Sequence, residues 1–446
     1  MGLLTFSRGG VHPPENKISA GKKIEFAGLP KQVVIPVSQH LGAPSKVLVS
    51  KGDEVKTGQL IAQSEGFVST NIHSSVTGKV FKIDLFPDTS GYRRMAVQIQ
   101  VAEEEQWAEG IDNGSELLTE ITATGEEIRQ KILEAGIVGL GGATFPSHVK
   151  LMTPKGKKAE YLVINGVECE PYLTADHALM MEKSKELAVG IRVLMKGLGV
   201  DKAIIGIENN KPDAIARMQE VTQNEPGIRV QPLKVKYPQG GEKQLVQALL
   251  KREVPSGGLP IDVGVVVFNV GTAYASYQAV QKNRPLIERI VTVTGKSVAN
   301  PSNFLVRIGT PAEFIIEKAG GLPEDTVKVI NGGPMMGKAV AKLDIPIVKG
   351  SSGILLIRND EARRKEVEPC IRCTKCVTVC PMGLEPYLLM TKAELGRFEE
   401  MEHDQVMDCI ECGSCSYTCP SSRPLLDYIR LGKAEVGRIM RSRKAV

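Results

Sequence analysis

The sequence predicts a multidomain α/β protein: a small β module, a doubly wound and mainly parallel sheet, a second β-containing unit and a helical, cysteine-rich domain, in that order. Three observations predict it. Short β-runs divided by Gly and Asp turns fill the stretch from Val33 to Val101. Apolar strands alternate with amphipathic helices from Gly125 to Lys282, and eight of the nine cysteines lie between Cys370 and Cys419 in two copies of one spacing. At 446 residues and 42% hydrophobic content, the chain can build about three ordinary cores. No apolar run approaches the roughly 20 residues of a membrane span. The net charge of +5 is mild, and much of the excess follows Leu431, in Lys433, Arg438, Arg441, Arg443 and Lys444. We read this basic tail, 432–446, as the solvated end of a helix. With 4% aromatics and no basic stripe interleaved with them, nothing points to nucleic acid.

Residues 1–30, rich in Gly, Pro and Lys, read as an irregular arm, with His12 structural. The β module, 31–102, carries the runs VVIPV, KVLVS, KGDEVKTGQL, IAQSE and IHSSVTGKVFKI. After an acidic linker near Glu103–Gly114, a helix is expected at Gly125–Ala135. Strands follow at Tyr161–Asn165, Lys202–Glu208, Ile228–Val235 and Val263–Val270, with helices at Ala175–Gly197, Pro212–Gln223, Gly241–Arg252 and Thr272–Lys282. This unit spans 115–284. A smaller one, 285–358, is expected to hold strands Ile290–Thr294, Phe304–Ile308 and Thr326–Asn331 and a helix at Ala312–Ala319, with Met335 and Met336 as packing residues. Glu385–Met407 has helical spacing.

Parallel sheets bind ligands at the carboxyl ends of their strands, and the informative residues collect there. Gly139, Gly141 and Gly142 form a loop whose backbone N–H groups can approach a phosphate closely, with Lys150 near enough to add positive charge. Asn165 and Asn269 close two strands, Gly240-Gly241-Glu242 precedes a helix, and Glu168 and Glu170 follow Asn165. Amides and acids so placed suit the edge of a flavin and the hydroxyls of a ribose.

Both cysteine copies read C-x2-C-x2-C-x3-C-P: Cys370, Cys373, Cys376, Cys380 and Cys409, Cys412, Cys415, Cys419. Three thiolates at that spacing wrap one face of a cubane while the fourth reaches the other cluster, as in two-cluster ferredoxins. One 4Fe-4S cluster is therefore expected on Cys370, Cys373, Cys376 and Cys419, and the other on Cys409, Cys412, Cys415 and Cys380. Four-thiolate zinc also favours paired C-x2-C ligands, but it needs only two pairs per ion, and the third thiolate and repeated Cys-Pro fit iron and sulfide better. Crowding into one short region argues against a disulfide framework.

The segment VSKGDEVKTGQLIAQSE…IHSSVTGKVFKI resembles the biotinyl/lipoyl barrel-sandwich family, whose carrier lysine sits at the hairpin tip. Here the tip, Glu65–Thr70, has no lysine, so the module reads as a docking or scaffolding element. GLGGATFPSHVK and NGVECEP resemble the loop and strand end of the NADH-binding subunit of respiratory complex I and of hydrogenase diaphorases. That resemblance implies FMN contacts from Gly139, Gly141, Gly142, Lys150, Asn165 and Asn269. It also implies Glu168, Gly240 and Gly241 bordering the flavin, and Phe145, Glu170 and Glu242 holding NADH. Leu140 and Val167 stand where that family has arginine and aspartate, and Cys169 replaces a serine as a packing residue. Residues 285–358 resemble its small β-grasp (SLBB) domain. The whole order, from the arm GGVHPPENK to the α-helical two-cluster ferredoxin domain at 359–431, resembles the C subunits of Rnf complexes.

The resemblance implies a peripheral subunit on the cytoplasmic side of the cell membrane. Its partners would be an iron-sulfur subunit and integral membrane flavin subunits of a ferredoxin:NAD+ oxidoreductase that moves Na+ or H+. A flavin is the converter such a chain needs, because NADH gives a hydride and 4Fe-4S centres pass single electrons. Two alternatives remain: a diaphorase subunit of a soluble hydrogenase or formate dehydrogenase, and a flavin-free iron-sulfur adaptor.

Overall fold

A computed structural model describes residues 3–88, 91–362 and 365–444. The arm is not irregular throughout: β1, Ile24–Phe26, pairs in parallel with a strand more than 270 residues later, Ile24 opposite Asn303. Only the folded chain supplies that partner.

The β module holds β2 (Gln32–Pro36), β3 (Lys46–Val47), β4 (Glu54–Val55), β5 (Leu60–Gln63), β6 (Ile72–His73), β7 (Gly78–Pro87) and β8 (Arg93–Val101). Two sheets, β2-β8-β7-β4 and β3-β5-β6, close on one core that includes Val33, Ile35, Ile61, Val80, Val97 and Ile99. Alternation along β2 and β8 puts Val33, Ile35, Val97 and Ile99 inward, as a two-residue period requires.

The next unit begins with α1 (Gly125–Glu134), whose Thr124 and Glu127 cap each other's backbone at the N-terminus. It continues with α2 (Ser147–Lys150), β9 (Tyr161–Asn165), α3 (Ala175–Glu182), α4 (Ser184–Leu198), β10 (Ala203–Glu208), α5 (Pro212–Thr222), β11 (Ile228–Leu233), α6 (Glu242–Leu250), a 3-10 turn at Pro260–Val263, β12 (Val265–Asn269) and α7 (Val270–Lys282). The helix expected at Ala175–Gly197 breaks at Lys183, where φ is −119°. The sheet is all parallel, ordered β11-β10-β9-β12. Strand residues alternate between two cores: Leu162, Ile164, Ile205 and Phe268 meet α1, α4 and α7, whereas Val163, Ile204 and Val267 meet Leu245 and Leu249 of α6 and Phe6 of the arm. The strand order reverses between β9 and β12, so a crevice opens at their carboxyl ends. Asn165 and Asn269 sit opposite each other there.

The third unit contains β13 (Glu288–Thr294), β14 (Ser302–Arg307), α8 (Ala312–Lys318), β15 (Thr326–Asn331), β16 (Lys338–Ala339) and β17 (Gly353–Arg358), in a mixed sheet ordered β1-β14-β13-β17-β15-β16. The apolar run GILLIR forms a central strand that the sequence reading left unnamed. Met336 is 45% exposed and does not pack as expected.

α9, Asn359–Ala362, lies against β15 and β17, with Glu361 accepting from Tyr172 Oη and pairing with Lys296. The boundary expected at 358/359 therefore falls short of this helix. Beyond it come α10 (Lys375–Thr378), α11 (Pro386–Glu394), α12 (Phe398–His403), a 3-10 turn at Val406–Asp408, α13 (Ser414–Thr418) and α14 (Leu425–Lys444). α14 runs through the boundary expected at 431/432. Leu425, Ile429 and Val436 are buried on α11 and α12, each contributing roughly 1.5–3 kcal/mol. Its basic residues have internal partners: Lys433 donates to Cys409 O, Arg438 pairs with Glu435, and Arg443 pairs with Glu399 and Glu402.

Candidate flavin site and iron-sulfur centres

A hydrogen bond from Gly139 N to Phe145 O, 2.8 Å, closes the glycine loop on itself. Gly142 has φ +127°, a value that side-chain-bearing residues avoid, and no atom lies within 4 Å of where its Cβ would be. Gly141 packs against Asn269, whose Cβ would stand 3.3 Å from any Cβ at 141. Gly141, Gly142 and Ala143 are exposed, so the loop forms an open cradle over the ends of β9 and β12. Leu140 points the other way, 5% exposed in the main core, while its N–H donates to Thr272 Oγ1 at 2.9 Å. Val167 is fully buried. The two departures from the complex I pattern are thus core positions here.

Three pairs of the expected site residues meet across the crevice: Gly141 with Asn269, Asn165 Nδ2 with Gly240 O at 2.9 Å, and Lys150 Nζ with Glu242 Oε1 at 2.7 Å. Lys150 also donates to Val267 O, so its charge is already shared within the chain. Asn269 caps α7 by accepting from Gly271 N and donates to Asp176. Gly241 is the N-cap of α6.

Glu168 and Glu170 do not project into the crevice as free carboxylates. Glu168 accepts from Asp176 N and His177 N, capping α3. Glu170 Oε1 accepts from Met335 N at 2.6 Å and Met336 N at 3.0 Å, pinning the Gly333–Met336 turn. Burial raises the Glu170 carboxyl, and those two N–H donors oppose the shift. Cys169 is half-buried, with Sγ accepting from Gly240 N, and burial pushes its thiol up.

The sequence reading missed Asp176, Thr272 and Tyr237. Burial first, then the Glu168 charge, hold the Asp176 carboxyl well above the usual carboxylate range. Tyr237 Oη donates to Cys412 O at 2.8 Å, joining the turn that carries Gly240 to the cysteine domain. No local pattern marks any of the three, since each acts through a partner distant in sequence.

In the cysteine domain the two copies share one backbone path. Arg372 and Thr374 in the first copy, and Glu411 and Gly413 in the second, all have positive φ. Such turns aim successive N–H groups inward and suit anionic clusters. Glu411 N lies 3.4 Å from Cys409 Sγ, and Leu384 N 3.4 Å from Cys380 Sγ. Cys380 lines one cavity together with Cys409, Cys412 and Cys415, alongside Leu384, Leu389 and Ile429. This is the crossed set the spacing predicts. Burial pushes Cys409 up to about 11 and Cys412 and Cys415 upward as well. A bound metal cluster reverses that preference by holding the thiolate form. For the other set, Cys376 lies within electrostatic reach of Cys419. Ser421, two residues past Cys419, bonds to Pro369 O and Glu368 N beside Cys370. Cys370 and Cys373 are exposed. Among the described residues no three His, Cys, Asp or Glu converge on a single ion. A cubane spreads its thiolates over several irons, so it does not ask for such convergence. An open glycine cradle and a four-thiol cavity thus fit FMN and an iron-sulfur cluster respectively.

These features define the class: a flavin and iron-sulfur electron-transfer protein built on a doubly wound sheet. Residues 132–278 match the Nuo51 FMN-binding domain, 5–104 the RnfC barrel sandwich hybrid domain, 290–339 the SLBB domain and 362–420 the 4Fe-4S dicluster domain. The chain belongs to the family of Rnf complex C subunits. It is similar, at 49% identity, to the C subunit of the proton-translocating ferredoxin:NAD(+) oxidoreductase complex of Clostridium ljungdahlii, covering 97% of this chain and 94% of that one. It is 44% identical to the Na(+)-translocating counterpart of Acetobacterium woodii, covering 96% of each. Among solved structures, an NAD+-reducing [NiFe]-hydrogenase in the H2-reduced state shares the fold at TM-score 0.50 and 19% identity, over 70% of this chain and 62% of that one.

Proposed function

We propose that this chain is the NAD(H)-facing electron-transfer subunit of an ion-translocating ferredoxin:NAD+ oxidoreductase. The observation that carries this reading is the Tyr237 to Cys412 bond, which sets the flavin crevice and a four-cysteine cavity against each other within one chain. FMN, when bound, supplies exchange between two-electron hydride chemistry and the one-electron chemistry of 4Fe-4S clusters.

Gly141 and Gly142 offer backbone N–H groups to the FMN phosphate, Gly139 closes the loop that presents them, and Lys150, paired with Glu242, stands behind the loop. Asn165, Asn269, Gly240 and Gly241 border the rings, with Glu168 fixing the adjoining helix start. Phe145 and Glu242 face NADH, and Glu170 holds the β-grasp turn that walls this side. Cys380, Cys409, Cys412 and Cys415 hold the enclosed cluster. Cys370, Cys373, Cys376 and Cys419 hold the outer one. Next to the exposed Cys370 and Cys373 in the chain stand Val367 and Ile371, 60% and 67% exposed. That apolar pair is where an iron-sulfur partner subunit docks.

No described helix is long and apolar enough to cross a membrane. In this reading, partner subunits, including integral membrane flavin subunits, hold the chain at the cytoplasmic face of the cell membrane. The named relatives include proton- and Na+-translocating systems.

Fractionation of cells with and without the membrane partners tests the reading. The chain is expected in washed membranes when the partners are present and in the soluble fraction when they are deleted. A soluble distribution in both would favour the hydrogenase-type diaphorase instead.

A further inference from the structure

The segment that borders the flavin crevice, from Gly166 to Thr174, is an unfavourable piece of chain. Glu168 and Tyr172 have φ of +45° and +70° although neither is glycine. The carbonyls of Glu168, Glu170 and Leu173 all turn to one point, and the segment's own residues supply no donor to it. That point is filled by Lys17 of the N-terminal arm, whose Nζ donates to Glu168 O at 2.8 Å, Glu170 O at 2.9 Å and Leu173 O at 2.7 Å. These are the three N–H donors of an ammonium spent on three backbone acceptors, with no carboxylate among them. Neighbouring arm residues tie the same segment. Tyr172 N donates to Glu15 O, and Ser19 Oγ meets Thr174 Oγ1 at 2.6 Å. A second buried ammonium, Lys211, donates to Val167 O at 2.9 Å.

We propose that Lys17 is a positioning residue for the flavin site, its ammonium acting as the template around which Gly166–Thr174 is wound so that Asn165, Glu168 and Glu170 take up their places. Converging carbonyl dipoles repel one another unless a cation stands among them, and two left-handed residues persist only when the surroundings over-determine them. Lys17 is half-buried, and its ammonium is spent on the carbonyls of this segment. It therefore acts on the ligand only through this segment. The proposal rests on the reading of the crevice as the FMN site.

The test is FMN binding to the full chain, by flavin fluorescence quenching, in wild type, Lys17→Met and Lys17→Ala, with hydrogen exchange of amides 166–174 read alongside. Lys17→Met is expected to weaken FMN at least tenfold and to speed exchange in that segment, while iron content stays at the wild-type level. In Lys17→Ala, n-propylammonium ion is expected to restore most of the affinity and n-propanol none of it. A purely structural side chain would not make that distinction. If Lys17→Ala folds only in the presence of n-propylammonium, its removal by dialysis must release FMN reversibly. Wild-type affinity in Lys17→Met, or equal rescue by the alcohol, would overturn the proposal. A wild-type chain that binds no FMN would overturn the reading of the crevice, and the proposal with it.

Discussion

Lys349 offers a sharp check on how the units are locked together. It is 1% exposed, and its Nζ donates to Asn71 O of the β module at 2.8 Å and to Gly136 O of the flavin unit at 2.7 Å. Its own backbone N–H donates to Gln39 Oε1. Among the described residues no carboxylate pairs with it, and burial lowers its pKa from 10.5 to about 7. Above pH 7 the folded chain holds this group neutral, while the unfolded chain keeps it protonated up to about 10.5. The unfolded state then binds more protons, so stability rises with pH across this window. Between pH 7 and 9 the gain is about 2–3 kcal/mol, at about 1.4 kcal/mol per unit. Below pH 7 both states are protonated and the contribution is flat. The nearby His40 and His73 are lowered by burial to about 4 and about 3, so they stay neutral throughout and do not mask the effect. Lys349→Met removes the titration. Urea unfolding of wild type and variant at pH 7, 8 and 9, followed by the fluorescence of Trp107, the single tryptophan, measures the difference. The wild-type midpoint should climb relative to the variant as pH rises. Parallel curves would refute the argument that the ammonium is held without compensation.

Other outcomes follow from the same structure. Cys380→Ser should cut bound iron to about half, and the lost cluster should be the one on Cys409, Cys412 and Cys415 rather than that of its own motif, as cluster EPR would show. Gly142→Ala should weaken FMN binding through strain of about 1–3 kcal/mol at φ +127°, since open space leaves no clash to blame. A flavin titration checks it. Trp107 lies between Arg284 and Arg307, 4.7 and 5.1 Å from its ring centre. Trp107→Ala should cost roughly 2–3 kcal/mol in calorimetric stability, from two cation–π contacts and lost packing at a half-buried position.

The alternating strands and helices were readable because a parallel sheet buried on both faces needs apolar strands, and β9 falls where the pattern places it. The crevice was readable for a related reason: glycines and amides at strand ends are local signals. The crossed cysteine cavity followed from spacing alone. The rest depended on long-range partners. β1 is a strand only because β14 lies beside it, and Lys17 looks like any arm lysine until the three carbonyls are seen. Glu170 has the same residue type as a ligand-binding acid, yet its oxygen belongs to the Met335 and Met336 amides. The tail is the solvated helix end its composition suggests, but the pairing of Arg443 was hidden because its acidic partners stand more than 40 positions upstream.

The central claim is that one chain holds both the hydride exchanger and its one-electron wire. Anaerobic purification with iron, sulfide and flavin analysis, followed by addition of NADH, tests it most directly. The account predicts about eight irons from two cubanes, about one FMN, and prompt bleaching of both the flavin and the iron-sulfur absorbance. Eight irons with no flavin and no response to NADH would contradict it and leave an electron adaptor.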